Sequence, residues 1–214
     1  MIVLYTFINE QKHQYLLDKY SKICTEEFNA KILKYRRWQD AQLSLLGRLL
    51  LKYGLNQYFN MHDFEIDYTS NHKPFLKNQD VHFNISHAGN LVVCGISKSP
   101  IGIDIEYIDP KIKYTEFKSQ MTQNEFNKIH LSEDKVRSFF TYWTEKEAVI
   151  KAHGKGLLIP LQSFEVFQNQ TIIEKQKFYL KETFIHIEYQ FCIASDKDIR
   201  YKNIQLEQLN LNLL

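Results

Sequence analysis

The sequence predicts an α+β fold. Two uninterrupted helical stretches carry that prediction, one from about Gln39 to Tyr53 and one from Ser138 to His153. Short apolar segments with strand character lie around them, at 1–8, 63–68, 81–86, 91–97 and 101–108, and again at 163–168, 171–180, 184–194 and 203–207. A third observation is a faint internal echo. Leu91-Val92-Val93-Cys94-Gly95-Ile96-Ser97 is matched loosely by Tyr189-Gln190-Phe191-Cys192-Ile193-Ala194-Ser195. With 214 residues, 15 Phe and 13 Tyr, the chain can bury a substantial core as one large domain or two small ones.

In chain order, Met1 to Ile8 reads as a strand, since it lacks the basic region and small-residue cleavage site of a signal peptide. Residues 10–23 put Leu16, Leu17, Tyr20 and Ile23 at helical spacing. The basic, aromatic run Lys31 to Trp38 reads mainly as a solvated face, with one or two side chains in reach of a phosphate. The first long helix carries Leu43, Leu45, Leu46, Leu49 and Leu50 and is expected to end at Gly54. Gly47 inside it costs roughly 1 kcal/mol relative to Ala, which points to a close backbone approach. Ser70-Asn71-His72-Lys73-Pro74 is a turn. Residues 81–86 and 91–97 form a hairpin through His87-Ala88-Gly89-Asn90, leaving Ser86 and His87 where a strand meets a turn. Thr122-Gln123-Asn124-Glu125 is a capping-box pattern. The second long helix stops at Gly154, where a left-handed cap is wanted, and Phe139, Phe140, Trp143 and Ile150 supply its buried stripe.

Charge and cysteine content exclude several classes. A net charge of +2 is too small to imply nucleic acid, so an anion site must come from local clustering. Cys24, Cys94 and Cys192 are odd in number and far apart, which is neither a disulfide framework nor a zinc spacing and fits a reducing cytoplasm. No apolar run is long enough to span a bilayer. The expectation is a cytoplasmic protein that binds neither membrane nor nucleic acid.

Two stretches carry chemistry. In Ile101-Gly102-Ile103-Asp104-Ile105-Glu106 the isoleucines point one way and Asp104 and Glu106 the other. Two such carboxylates can share a hard cation such as Mg²⁺, although an isolated pair of this kind is more often the wet face of a strand. In the second long helix, Trp143, Glu147 and Lys151 are four apart and share a face. Most Glu–Lys pairs at that spacing are only solvated ion pairs. Here Trp143 beside them and the rest of the chain argue for a site. Ser86 and His87, alone, read as a turn-capping hydroxyl and an exposed imidazole; near a ligand they can face it.

Asn84-Ile85-Ser86-His87, Gly102-Ile103-Asp104-Ile105-Glu106 and Trp143-Thr144-Glu145-Lys146-Glu147-Ala148-Val149-Ile150-Lys151, in this order and spacing, resemble the 4′-phosphopantetheinyl transferases of the long, surfactin-synthetase-activating type. The pattern also takes in Leu45-Leu46-Gly47, Lys73-Pro74, and Gly154-Lys155-Gly156-Leu157 with Pro160, and it thins out after about residue 170. The short, trimeric holo-synthase type is disfavoured by length.

The resemblance implies two pseudo-symmetric halves, 1–101 and 102–214, each a small, mainly antiparallel sheet packed with a long helix, with the active site between them. It implies transfer of 4′-phosphopantetheine from coenzyme A to a serine of an acyl or peptidyl carrier protein by a monomer, with release of 3′,5′-ADP. Asp104, Glu106 and Glu147 would hold Mg²⁺; Glu147 would also be the general base, directly or through a metal-bound water, and Lys151 would stabilise charge or protonate the leaving group, so that Asp104, Glu147 and Lys151 form the catalytic set. Coenzyme A would meet Lys31, Ser44, Lys73, Pro74, Ser86, His87 and Lys151. Two positions depart from the pattern: Phe28 stands where a second basic residue is common, and His72 where Gly often precedes Lys-Pro. The rival readings are a metal-dependent nuclease, which the low charge disfavours, and a non-catalytic carrier-binding module. Which carrier is modified is not written in the sequence.

Overall fold

The computed structural model describes residues 1–20 and 25–211; Ile23 and Cys24 lie outside them. The chain opens with β1 (Ile2–Phe7), a helical turn at Glu10–Lys12 and α1 (His13–Tyr20). Next come α2 (Glu26–Leu33), capped by the Thr25 hydroxyl, and the long α3 (Trp38–Phe59). The strands β2 (Ile66–Tyr68) and β3 (Pro74–Leu76) form a small ribbon. They are followed by β4 (His82–Ala88), β5 (Leu91–Ser97) and β6 (Ile101–Tyr107). A 3-10 segment, Tyr114–Gln120, and α4 (Gln123–His130) lead into the second long helix, α5 (Lys135–His153). The chain then adds β7 (Gln170–Ile173), β8 (Gln176–Glu182), β9 (Tyr189–Ser195) and β10 (Gln205–Gln208).

Two four-stranded sheets result, in the orders β10-β1-β5-β4 and β6-β9-β8-β7. They repeat one plan: a strand, a long helix, then an antiparallel hairpin whose second strand returns beside the first. The elements β1, α3 and β4–β5 follow it once; β6, α5 and β8–β9 follow it again. The echoing heptapeptides are β5 and β9, each buried at every residue. Side-chain alternation sorts the core into layers. Ile2, Leu4, Cys94 and Ile96 face the leucines of α3. Phe178, Leu180, Cys192 and Ala194 face α5. Val3, Val93, Ile101, Ile103, Ile105 and Ile193 fill the space between the sheets. The long helices therefore cover the outer faces. No helix among the described residues is long and apolar enough to cross a membrane.

Several boundaries differ from expectation. The helix α3 passes through Gly54 and ends at Asn60, at φ +52°. Gly54 makes room rather than a cap: a Cβ there would lie 2.4 Å from Ile96 Cδ1 and 2.8 Å from Leu4 Cδ1. Gly47 does mark a close approach, since its Cβ would lie 2.9 Å from Ile85 Cγ2. The hairpin pairing extends to Ala88 and Leu91, so the turn is only Gly89-Asn90, and Ser86 and His87 lie inside β4. The expected strand at 163–168 is absent; Leu161–Ser163 is a 3-10 turn and Phe167 makes an isolated bridge to Gln170. The stretch 171–180 is two strands meeting at Glu174-Lys175, at φ +48° and +71°. Positive φ at both central residues matches the twist of a tight hairpin, but neither residue is the Gly or Asn that usually announces one. The stretch 63–68 contributes only its last three residues, as β2.

Candidate active site

The site forms where the free edge of β4 meets the free edge of β6. The two sheets are stitched there by side chains instead of a strand ladder. Asn84 Oδ1 accepts from the Ile103 amide at 2.8 Å, and Ser86 Oγ accepts from the Ile105 amide at 3.3 Å. The alternation that sends Phe83 and Ile85 towards α3 sends Asn84 and Ser86 to this seam. Ser86 also donates to Asp104 Oδ1 at 3.2 Å.

Gly102 brings α5 down onto β6. A Cβ at Gly102 would fall 2.1 Å from the Ala148 carbonyl oxygen and 2.2 Å from the Ala152 amide nitrogen, so only glycine admits the helix backbone at this distance. That approach carries Glu147 and Lys151 to the seam. Lys151 Nζ lies 2.5 Å from Asp104 Oδ1 and 3.1 Å from Ser86 Oγ. Ser86, Asp104 and Lys151, from β4, β6 and α5, are therefore in direct contact.

Three carboxyls crowd here. The Asp104 side chain is 4% exposed, and its Oδ2 is buried without a hydrogen-bond partner. Burial holds the Asp104 carboxyl above its ordinary pKa, opposed by Lys151 and Ser86. Burial also lifts Glu106 to about 7, helped by Asp104 and Glu147 and opposed by Lys151 and a hydrogen bond from Trp143. Glu147 is raised by burial first, with Lys151 opposing and Asp104 adding. Asp104 thus disfavours ionisation of both glutamates, and Glu147 that of Glu106. No group of three or more His, Cys, Asp or Glu among the described residues forms a ready-made ion cage. The donor set nevertheless fits a hard cation: carboxyls brought together from β6 and α5, one with a buried, unpartnered oxygen.

Beside this trio lies a cleft of about 200 Å³ lined by Lys73, Pro74, Asn84, Glu147, Lys151 and Gly154, among others. Lys73 Nζ donates to the Ala152 carbonyl at 3.0 Å, and burial lowers its pKa to about 8. His72 adopts φ +60°, the left-handed conformation that Gly would favour. His87 points out of β4; its pKa is pushed down by the packing around it, then by Lys151, with Asp40 of α3 opposing. Lys31 is exposed on α2, and Ser44 is half-buried on α3. Neither lines this cleft. Phe28, where a basic residue was expected, lies under the Arg48 guanidinium, 4.8 Å from its ring centroid.

The sequence alone assigns no separate role to Asn84, Gly102 or Lys146. Asn84 and Gly102 were visible as motif letters, but the seam and the close approach exist only once both halves are folded. Trp143 reads by its spacing as part of the buried stripe, and it also stands beside Glu106, favouring the charged form of that carboxyl. Lys146 is a motif letter with no role of its own in the sequence, and although lysine is rarely buried it is 1% exposed.

Comparison with known proteins shows the family of the chain. Residues 100–198 match the family model described as 4′-phosphopantetheinyl transferase superfamily, and residues 10–99 match 4′-phosphopantetheinyl transferase, N-terminal. The chain is 37% identical over 179 residues to the 4′-phosphopantetheinyl transferase gsp of Aneurinibacillus migulanus, covering 81% of this chain and 75% of that protein. It is 32% identical over 159 residues to the 4′-phosphopantetheinyl transferase Sfp of Bacillus subtilis (strain 168), covering 72% and 70%. The chain belongs to the 4′-phosphopantetheinyl transferase superfamily, and within it to the surfactin-synthetase-activating type.

Proposed function

We propose that this enzyme transfers 4′-phosphopantetheine from coenzyme A to a carrier-protein serine at the seam between β4, β6 and α5, with Asp104, Glu106 and Glu147 holding Mg²⁺. The observation that carries the reading is the convergence of Ser86, Asp104 and Lys151, drawn from three elements and both halves, beside an open cleft. When bound, Mg²⁺ supplies positive charge to the pyrophosphate oxygens. Lys151 carries the cation next to the departing oxygen and stabilises charge there. Glu147 lines the cleft, whereas Asp104 is buried beneath the seam. Glu147 is therefore the carboxylate placed to take the serine proton, and its raised pKa suits a base. The serine oxygen then bonds to the β-phosphorus as the bridging oxygen leaves with 3′,5′-ADP.

Coenzyme A binding divides between the halves in this reading. Residues 1–101 supply nucleotide contacts from Lys31, Ser44, Lys73, Pro74, Ser86 and His87; residues 102–214 supply the metal ligands and Lys151. The enzyme acts as a cytoplasmic monomer, and its partner is an acyl or peptidyl carrier domain. The test is mass spectrometry of a panel of apo carriers incubated with enzyme, coenzyme A and Mg²⁺. The expected result is a gain of one phosphopantetheine on at least one carrier. Carrier binding without that gain, or Mg²⁺-dependent cleavage of DNA without coenzyme A, overturns it.

A further inference from the structure

Lys146 is the residue before Glu147, yet its side chain is enclosed in protein. Its Nζ lies 2.5 Å from Glu125 Oε1, whose side chain is itself only 11% exposed. It donates to the Leu161 carbonyl at 3.0 Å and to the Phe164 carbonyl. It also lies 4.2 Å from the ring centroid of Phe164 and 5.4 Å from that of Tyr142. Burying an ammonium is costly, and an apolar side chain of similar length would fill the same space without that cost. Packing alone does not call for a charge here.

What the charge does is gather separate pieces of chain onto one flank of α5. The other oxygen of Glu125 accepts from the Thr122 amide at 3.0 Å, completing the capping box, so Lys146 grips the start of α4. Its carbonyl acceptors belong to the 161–164 turn. Beside it, the Tyr142 hydroxyl donates to the Gln120 carbonyl at 2.8 Å. Phe117, from the segment that follows β6, packs on Phe139 and Trp143 with ring centroids 5.1 and 5.4 Å away. Trp143 in turn stands beside Glu106 and favours the charged form of its carboxyl. The reactive face is therefore tied to the clasped flank by neighbouring positions: Glu147 lies about 100° around the helix from Lys146, and Trp143 about 60°. Gly102 fixes how close α5 comes to β6, but close approach does not by itself fix how the helix is turned about its axis.

We propose that Lys146 is a positioning residue: by clasping α4 and the 161–164 turn it sets the rotation of α5 at which Trp143 meets Glu106 and Glu147 enters the cleft. This rests on reading Asp104, Glu106 and Glu147 as a divalent-ion site. Outer partners of this kind typically contribute 10–100-fold to ion affinity or activity.

The experiment uses a Trp38→Phe background, which leaves Trp143 as the sole tryptophan of the chain's two. Mn²⁺ affinity by electron paramagnetic resonance, Trp143 emission, thermal stability and transfer kinetics are compared for Lys146→Met, Glu125→Gln and the double variant Lys146→Met/Glu125→Met. The two single variants are expected to bind Mn²⁺ about 10–100-fold more weakly, with shifted Trp143 emission and a lower kcat at nearly constant KM for coenzyme A. The double variant buries no unpaired charge, so it regains stability while the Mn²⁺ affinity stays low. A double variant with wild-type Mn²⁺ affinity and wild-type Trp143 emission overturns the proposal, leaving Lys146 a purely structural ion-pair partner. If Lys146→Met does not fold, the other two variants carry the test. Mn²⁺ binding by a wild-type protein that modifies no carrier sinks the transferase reading and leaves the positioning role standing.

Discussion

The two halves are built to one plan, and strand register says which residues correspond. In the first half Leu4 pairs with Cys94 and Thr6 with Val92; in the second Asp104 pairs with Cys192 and Glu106 with Gln190. Since β5 and β9 echo one another, Leu4 and Thr6 are the counterparts of Asp104 and Glu106. Leu4 is core, and the Thr6 hydroxyl donates to the Leu209 carbonyl. The glycines are also placed oppositely. On α3 they make room for side chains of the sheet; on β6, Gly102 makes room for the backbone of α5. A helix held off by side chains builds a core. A helix lowered until its backbone touches the strand brings short carboxylates and a lysine within reach of one another. The same architecture thus buries apolar and hydroxyl groups at these positions once and the proposed metal-binding carboxyls once.

The most severe way to break that contrast is to make β6 more like β1. Asp104→Ala is expected to abolish transfer, because no nearby oxygen replaces the lost ligand, while circular dichroism reports an intact fold. On the helix, Glu147→Gln should lower kcat by about 10²–10⁴ without recovery in excess Mg²⁺, as loss of a base requires. Recovery in a Mg²⁺ titration would instead make Glu147 chiefly a ligand. Lys151→Ala should lower kcat with less effect on Mg²⁺ dependence, and near-normal turnover there would overturn its assignment.

The glycine contrast is tested next. Gly102→Ala pits a methyl group against the α5 backbone, and a misplacement of about 1 Å at the site can cost on the order of 10²-fold in kcat. Gly54→Ala meets only the ends of Ile96 and Leu4. It should cost about 1–3 kcal/mol of stability in denaturant melts and leave turnover per folded molecule unchanged. Equal losses of turnover in both variants would erase the distinction.

A smaller effect separates Glu106 from its silent counterpart Thr6. With its pKa lifted to about 7, chiefly by burial, Glu106 must lose a proton to hold a cation. Mn²⁺ affinity should therefore rise between pH 6 and 8, by at most about tenfold per unit for one proton, and Glu106→Gln should flatten the profile. For the protein in chelator the sign reverses. The unfolded carboxyl, near its ordinary value of 4.5, binds fewer protons than the folded one, so this group's contribution to stability falls as pH rises from there to about 7. The smallest change concerns Lys111, Lys113 and Lys118, exposed just beyond β6. Replacing all three with Ala should raise KM for an acidic carrier a few-fold at low salt and little at high salt. No change at either salt concentration would discard the docking idea.

Much of this was legible in the sequence because it rests on local rules. Alternation in 101–106 correctly separated the isoleucines from the carboxylates, spacing in α5 grouped Trp143, Glu147 and Lys151, and Gly154 caps that helix at φ +92°. What stayed hidden depends on distant partners. Gly54 looks like a terminator until Leu4 and Ile96 lie against it. Glu174-Lys175 carries no turn signature, yet it turns tightly because β7 and β8 must pair. Lys146 reads as surface until Glu125 and two carbonyls surround it. In each case a contact far along the chain overrides the residue's own preference.

The parallel pairing of β10 with β1 has a consequence for how the protein is made. Ile2 lies opposite Gln205, and Tyr53 and Tyr58 of α3 both reach the Glu207 carboxylate. While the chain is still emerging from the ribosome, β1, α3, β4 and β5 are available early, but one edge of β1 waits for a strand synthesised some two hundred residues later. Until then that edge is a row of open amides and carbonyls able to recruit any passing strand. The nascent first half is consequently the stage at which this protein is most exposed to misassembly, and the arrival of β10 is the step that seals it.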